Sequence, residues 1–175
     1  MDELTRRMAE QGAPDPAGWA RSEINEGFAQ QARYLFLRSI WPEIINRYAS
    51  EEYVREIPAA ARILDGGASL ADVTTALRAV AYAAAFEVIN RIDDGYDHYA
   101  PPGSPGWNLI EVDSDYPPTG RDIRALHEDL LSLDPSGREG YDLFWELPHH
   151  LPSARVESPR PQVTFPTLSH TGAPS

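Results

Sequence analysis

Three aspartates and a histidine are packed into Asp93-Asp94-Gly95-Tyr96-Asp97-His98, and Asp113 and Asp115 follow a short distance downstream. Carboxylate oxygens around a loop glycine are the donors that calcium or magnesium takes. Asp93, Asp94, Asp97 and His98 are therefore the candidate ligands of a divalent cation, and no other cofactor is expected. The spacing is not that of an EF-hand loop, because Pro117 and Pro118 stand where further ligands and the turn glycine belong. Acidic residues at the C-terminal end of a helix oppose its dipole, and a cation would relieve that conflict. The competing reading of the same residues is a solvated acidic turn.

His127-Glu128 is the second place where chemistry is expected. On a helix, His127 falls on the apolar face with Ile123, Leu126 and Leu130. The zinc-protease pattern requires another histidine four residues on, and position 131 is Leu131, so that motif fails. Two roles remain for His127: a hydrogen-bonded core residue, or a general base or ligand contact if a pocket opens beside it. His149 and His150 are adjacent in a proline-flanked segment and read as surface.

Nucleophile motifs are weak. Gly67-Ala-Ser69-Leu-Ala71 lacks the last glycine of a lipase elbow, and Ser69 is better explained as a helix cap. Ser136 lies in an Asp-Pro-Ser-Gly turn, and no Gly-x-Gly-x-x-Gly occurs. Gly120-Arg121 at a helix start could hold an anion through backbone N–H groups, but Asp113, Asp115 and Asp122 crowd it with negative charge. Of the four tryptophans, Trp19, Trp41, Trp107 and Trp145, the last two flank the acidic stretch, where aromatic rings serve as binding anchors. The candidate binding residues are thus His127, Trp107, Trp145, Asp113 and Asp115. Packing of the rings onto neighbouring helices is the alternative.

Composition removes further classes. The chain has no lysine and no cysteine, so all 15 basic residues are arginine. Schiff-base chemistry, thiolate catalysis, disulfides and a P-loop lysine are all excluded. A GC-rich coding sequence is the simplest cause of the missing lysine. Selection against lysine-directed modification is the other. Between Glu87 and Glu146 stand 14 acidic residues and four arginines, so 14 − 4 leaves −10 of the total −12 in that stretch. That field repels nucleic-acid backbones and anionic membrane surfaces, and attracts a basic protein or a cation. The polar start, MDELTRRMAEQG, lacks the basic-then-apolar pattern of a secretory leader, and the expectation is a cytoplasmic protein.

The elements that must position these groups are mostly helical. Trp19–Ser50 carries a helical stripe through Ile24, Phe28, Ala32, Leu35 and Phe36, continued by Ile40, Ile44 and Ile45, with a kink expected at Trp41–Pro42. Ser50 before Glu51 and Glu52 opens a short helix over 53–64, interrupted by Pro58, and Asp65-Gly66-Gly67 ends it. Ser69-Leu-Ala-Asp72 is a capping box that opens the central helix, 70–93. Its stripe of Leu77, Val80, Ala81, Ala84, Val88 and Ile92 is widened by Val73, Tyr82, Phe86 and Ile89, so burial on most sides is expected, with Ala84 inward. Trp107–Asp113 alternates as a strand does. Thr119-Gly-Arg-Asp122 reads as a second capping box, starting a helix to Leu133. Tyr141–Leu147 is an apolar cluster of undecided type. Pro148, Pro152, Pro159, Pro161, Pro166 and Pro174 make the C-terminus irregular.

The fold expected is mainly α: a single-domain helical bundle (1–148) with one short extended element and an irregular, proline-rich tail or arm (149–175). Two classes of function remain. One is a non-catalytic interaction protein, an adaptor, inhibitor or immunity-type partner, that presents an acidic face to a basic protein. The other is a small-molecule-binding protein or helical enzyme with a pocket beside His127.

Overall fold

The structure, a computed structural model, describes residues 1–144. Trp145, His149–His150 and the proline-rich segment 149–175 lie outside the described residues. The described chain is mainly helical with a small two-stranded sheet. Eight α-helices run in the order α1 (Asp2–Glu10), α2 (Pro16–Glu26), α3 (Gln30–Leu37), α4 (Glu51–Arg55), α5 (Pro58–Asp65), α6 (Leu70–Asp94), α7 (Leu126–Leu130) and α8 (Tyr141–Phe144). The hairpin strands β1 (Ile110–Val112) and β2 (Pro118–Asp122) lie between α6 and α7. No helix among the described residues is long and apolar enough to cross a membrane.

Residues 19–50 are not one helix. Gly27 takes φ of 74°, a left-handed conformation open to glycine, and closes α2 by donating its N–H to Glu23. The chain restarts as α3, then widens at Ile40–Ile45 into a π-helical segment, followed by a 3₁₀ turn at Asn46–Ala49. Pro42 supplies the cause, since it has no N–H to donate into the preceding turn. The widened turn points Trp41 fully inward, where its Nε1–H donates to the Leu130 carbonyl at 2.6 Å.

The main core gathers Leu37, Trp41, Ile45, Tyr82, Ile89, Leu126, Leu130 and Leu143. A satellite core holds Met8, Ala13 and Tyr34, with Trp19 edge-on to Tyr34. The caps of α6 follow the sequence: Ser69 accepts from the Asp72 N–H, and Gly95 stops the helix at φ of 73°. Its burial does not follow the expected stripe. Tyr82 and Ile89 are buried with Phe86 beside them, whereas Val80 and Val88 are 67% and 61% exposed and Ala84 is exposed too. Among the described residues, α6 is packed against the π segment, the 3₁₀ turn, α7 and α8, with α4 and α5 making fewer contacts.

Burial pushes the Tyr82 hydroxyl up to about 12. Its folded value lies above the unfolded value near 10, so its contribution is intact below pH 10 and is lost as pH rises toward 12. Tyr82→Phe should therefore unfold less steeply than the wild type between about pH 10 and 12. Urea titrations at stepped alkaline pH measure the difference, and parallel stability curves for the two proteins would contradict it.

Candidate functional site

The C-terminal end of α6 organises everything that follows. Beyond Gly95 the chain leaves as a loop and returns at Trp107, whose backbone N–H donates to Gly95 O at 2.7 Å. The Trp107 indole N–H donates to the Arg91 carbonyl at 3.1 Å, and the Arg91 guanidinium lies 5.3 Å from the ring centroid. Gly106 permits this approach, because a Cβ there would fall 2.4 Å from Gly95 O. A cleft of about 570 Å³ opens beside the ring, lined by Glu87, Val88, Asn90, Arg91, Ile92, Asp94 and Trp107. His127 is not among its lining residues.

The candidate cation ligands diverge. Asp93 turns inward to His127. Asp94 meets His98 Nε2 at 3.4 Å, and Asp97 pairs with Arg91 at 2.9 Å. The Tyr99 backbone N–H, and after it the Arg91 guanidinium, hold the Asp97 carboxyl below the ordinary aspartate value. No group of three or more His, Asp or Glu side chains placed to hold a metal occurs among the described residues.

Asp93 and His127 come from elements 34 residues apart. Asp93 Oδ2 accepts the backbone N–H of His127 at 3.0 Å and lies 2.7 Å from ring Nδ1. The first of these bonds is a helix cap supplied by another helix. Ala125 precedes α7 at φ of 55° and has no side-chain acceptor of its own, so Asp93 receives an orphan N–H of the first turn. The carboxylate is 7% exposed, its Oδ1 has no hydrogen-bond partner among the described residues, and the Phe86 ring stands edge-on to the imidazole. A carboxylate-oriented histidine is also the geometry of an acid–base pair. The two serines considered as nucleophiles do not join it. Ser69 caps the far end of α6, about 36 Å along the helix, and the Ser136 hydroxyl donates to Asp134 at 2.9 Å. His127 is thus hydrogen-bonded to Asp93 and half-buried, with 32% of its side chain exposed.

Thr119–Asp122 is where the sequence misleads. The segment is β2, antiparallel to β1, with Ile110 opposite Asp122 and Val112 opposite Pro118. Over that span β2 advances four residues while β1 advances two, so the pair is bulged. Gly120 takes φ of 82°, which a helix start does not allow. The Thr119 hydroxyl bonds Glu111 at 2.7 Å instead of capping a helix. Arg121 then grips Glu111 through two bonds, of 2.8 and 2.6 Å, and reaches the buried Glu23 at 2.7 Å. The hairpin is thereby fastened to α2, with Arg121 serving as a tie and not as an anion cradle. A second tie joins Arg33 to Asp129 at 2.8 Å and to the Ala125 carbonyl. Burial raises the Asp129 carboxyl above its ordinary value, with Arg33 opposing and Glu128 adding to the rise. Neither tie is legible in the sequence, since arginine pairs 98 and 96 residues apart leave no local pattern.

These ties also redistribute the acidic stretch. Asp129 and Asp142 are neutralised by Arg33 and Arg78, which lie outside it. Asp113 and Asp115, at the hairpin turn, have no cationic partner among the described residues. Asp113 Oδ1 accepts only the Asp115 N–H there, at 2.8 Å. Between α6 and β2 the chain exposes large rings: Tyr99 is 96% exposed, Tyr116 82%, Tyr96 53% and Trp107 42%. Comparison with protein-family models, with curated proteins and with solved structures finds no match in any of the three.

Proposed function

We propose that the protein is a non-catalytic interaction protein that offers the surface formed by residues 94–118 to a basic partner. The observation that carries this reading is the pairing of exposed aromatic side chains with unneutralised carboxylates. Tyr99 and Tyr116 project almost wholly into solvent, and Tyr116 follows Asp113 and Asp115 in the hairpin turn. Leaving large rings in water forgoes the stabilisation that burial brings, and a partner that covers them recovers it. Guanidinium and ammonium groups suit such a surface twice over, as counter-charges for aspartate and as cations over tyrosine rings. Interfaces of this composition take most of their affinity from a few aromatic anchors, while the charges set the encounter rate.

Two variants separate those roles once the partner is in hand. Tyr116→Ala should weaken binding by about tenfold or more, mainly through faster dissociation. Asp113→Asn combined with Asp115→Asn should slow association and leave dissociation nearly unchanged. Surface plasmon resonance reads both rates. Unaltered kinetics in both variants would remove this surface from the interface.

A further inference from the structure

Glu87 and Arg91 stand four residues apart near the end of α6, the spacing of a helical ion pair. The pair does not form. Arg91 turns instead to Asp97, at 2.9 Å, and lies over the Trp107 ring. Glu87 is left exposed, with no ion pair or side-chain hydrogen bond among the described residues, in the lining of the cleft of about 570 Å³. Val88, Ile92 and Trp107 give that cleft apolar walls. Asp94 supplies a second carboxylate, seven residues and about 10 Å along the helix from Glu87. We infer that this cleft is the anchor pocket for an arginine side chain of the partner, its stem against Val88 and Ile92 and its guanidinium on the Glu87 carboxylate. The inference rests on the interaction reading above and names the group by which the partner is held.

Charge selects the sign of the occupant. Glu87, Asp94 and Asp97 stand against Arg91, so 3 − 1 leaves −2 at the cleft with His98 neutral. The cation in the lining is already engaged by Asp97 and the indole, so an anion would meet carboxylates and no free counter-charge. The walls select the kind of cation. A lysine ammonium is compact and strongly hydrated, and loses that hydration against Val88, Ile92 and an indole. A guanidinium is planar and weakly hydrated, and its fork matches a carboxylate with two bonds. The three methylenes of an arginine stem cover apolar wall while the head stays at Glu87. The diversion of Arg91 thus does two things: it props Trp107 as a wall, and it leaves Glu87 open to a guanidinium from outside.

A hexa-arginine peptide titrated into the full chain tests the inference, read by NMR at the Trp107 indole N–H, which Trp107→Phe assigns. At low salt the peptide should shift that resonance to saturation. Glu87→Gln should weaken the peptide by about threefold or more, whereas Glu52→Gln, which removes the same charge from an exposed site on α4, should change it by less than about twofold. Hexalysine should leave the Trp107 resonance nearly unmoved. A resonance indifferent to hexa-arginine overturns the inference, as do equal effects of Glu87→Gln and Glu52→Gln, which would mean attraction by the general field alone. An equal response to hexalysine overturns the assignment to arginine. A response seen only after Arg155→Gln and Arg160→Gln also overturns it, because the chain's own C-terminal segment would then be the occupant. The pocket and the wider surface fail separately. If Tyr116→Ala weakens the captured partner and Glu87→Gln does not, the pocket is wrong and the surface stands, whereas unaltered kinetics in the Tyr116 and Asp113/Asp115 variants remove the surface.

Discussion

Trp41→Ala is expected to be the most destabilising single substitution in the described chain, lowering the unfolding free energy by about 3–5 kcal/mol. Trp41 is wholly buried in the main core, against Tyr82 at a centroid distance of 5.7 Å. The substitution removes the largest fully buried side chain and leaves a cavity that the π-helical segment, held by Pro42, cannot collapse to fill. It also strips the Leu130 carbonyl of its buried donor. Trp41→Phe keeps most of the ring and loses the hydrogen bond, so a smaller cost of about 1–2 kcal/mol is expected. Guanidinium denaturation followed by circular dichroism gives both numbers. A cost below about 1 kcal/mol for Trp41→Ala would mean that the core is not centred on this residue.

The second large effect is at Asp93. Asp93→Ala leaves the His127 backbone N–H and ring Nδ1 without their acceptor in a partly buried place, and should cost about 3 kcal/mol. In a double-mutant cycle, Asp93→Ala and His127→Ala should couple by about 1–2 kcal/mol, since each removes the other's partner. Asp93→Ala also distinguishes a cap from a cation ligand. If the variant keeps wild-type stability in chelator but loses a calcium- or magnesium-induced rise in melting temperature, Asp93 holds a cation and the capping account is wrong.

Much of the helical framework was legible because its signals are local. Ser69, Asp72 and Gly95 mark the ends of α6 within a residue or two, and Ser50 and Pro58 mark α4 and α5. Pro42 announced an irregularity, which proved to be a widened turn. Errors arose where a long-range partner outweighed a local rule. Thr119-Gly-Arg-Asp122 has the letters of a capping box, yet the Glu111 carboxylate across the hairpin takes both the Thr119 hydroxyl and the Arg121 guanidinium. The stripe on α6 was visible, but periodicity cannot say which of two apolar sides faces the core. That choice is made by Trp41, Leu126 and Leu130, which cover Tyr82 and Ile89. The candidate site was legible only in part. Asp113, Asp115 and Trp107 lie on the surface proposed for binding, whereas pairing of Asp93 with His127 depends on how α7 docks, which no spacing records.

The central claim, that residues 94–118 receive a basic partner, is tested most directly by the association rate as a function of salt. The partner is first captured at low salt from the cells that make this protein and is then purified. The account predicts a partner of high isoelectric point whose association slows at least tenfold as salt shortens the Debye length from about 10 Å at 0.1 M to about 3 Å at 1 M, with little change in dissociation. A neutral or acidic partner, or an association rate indifferent to salt, contradicts it.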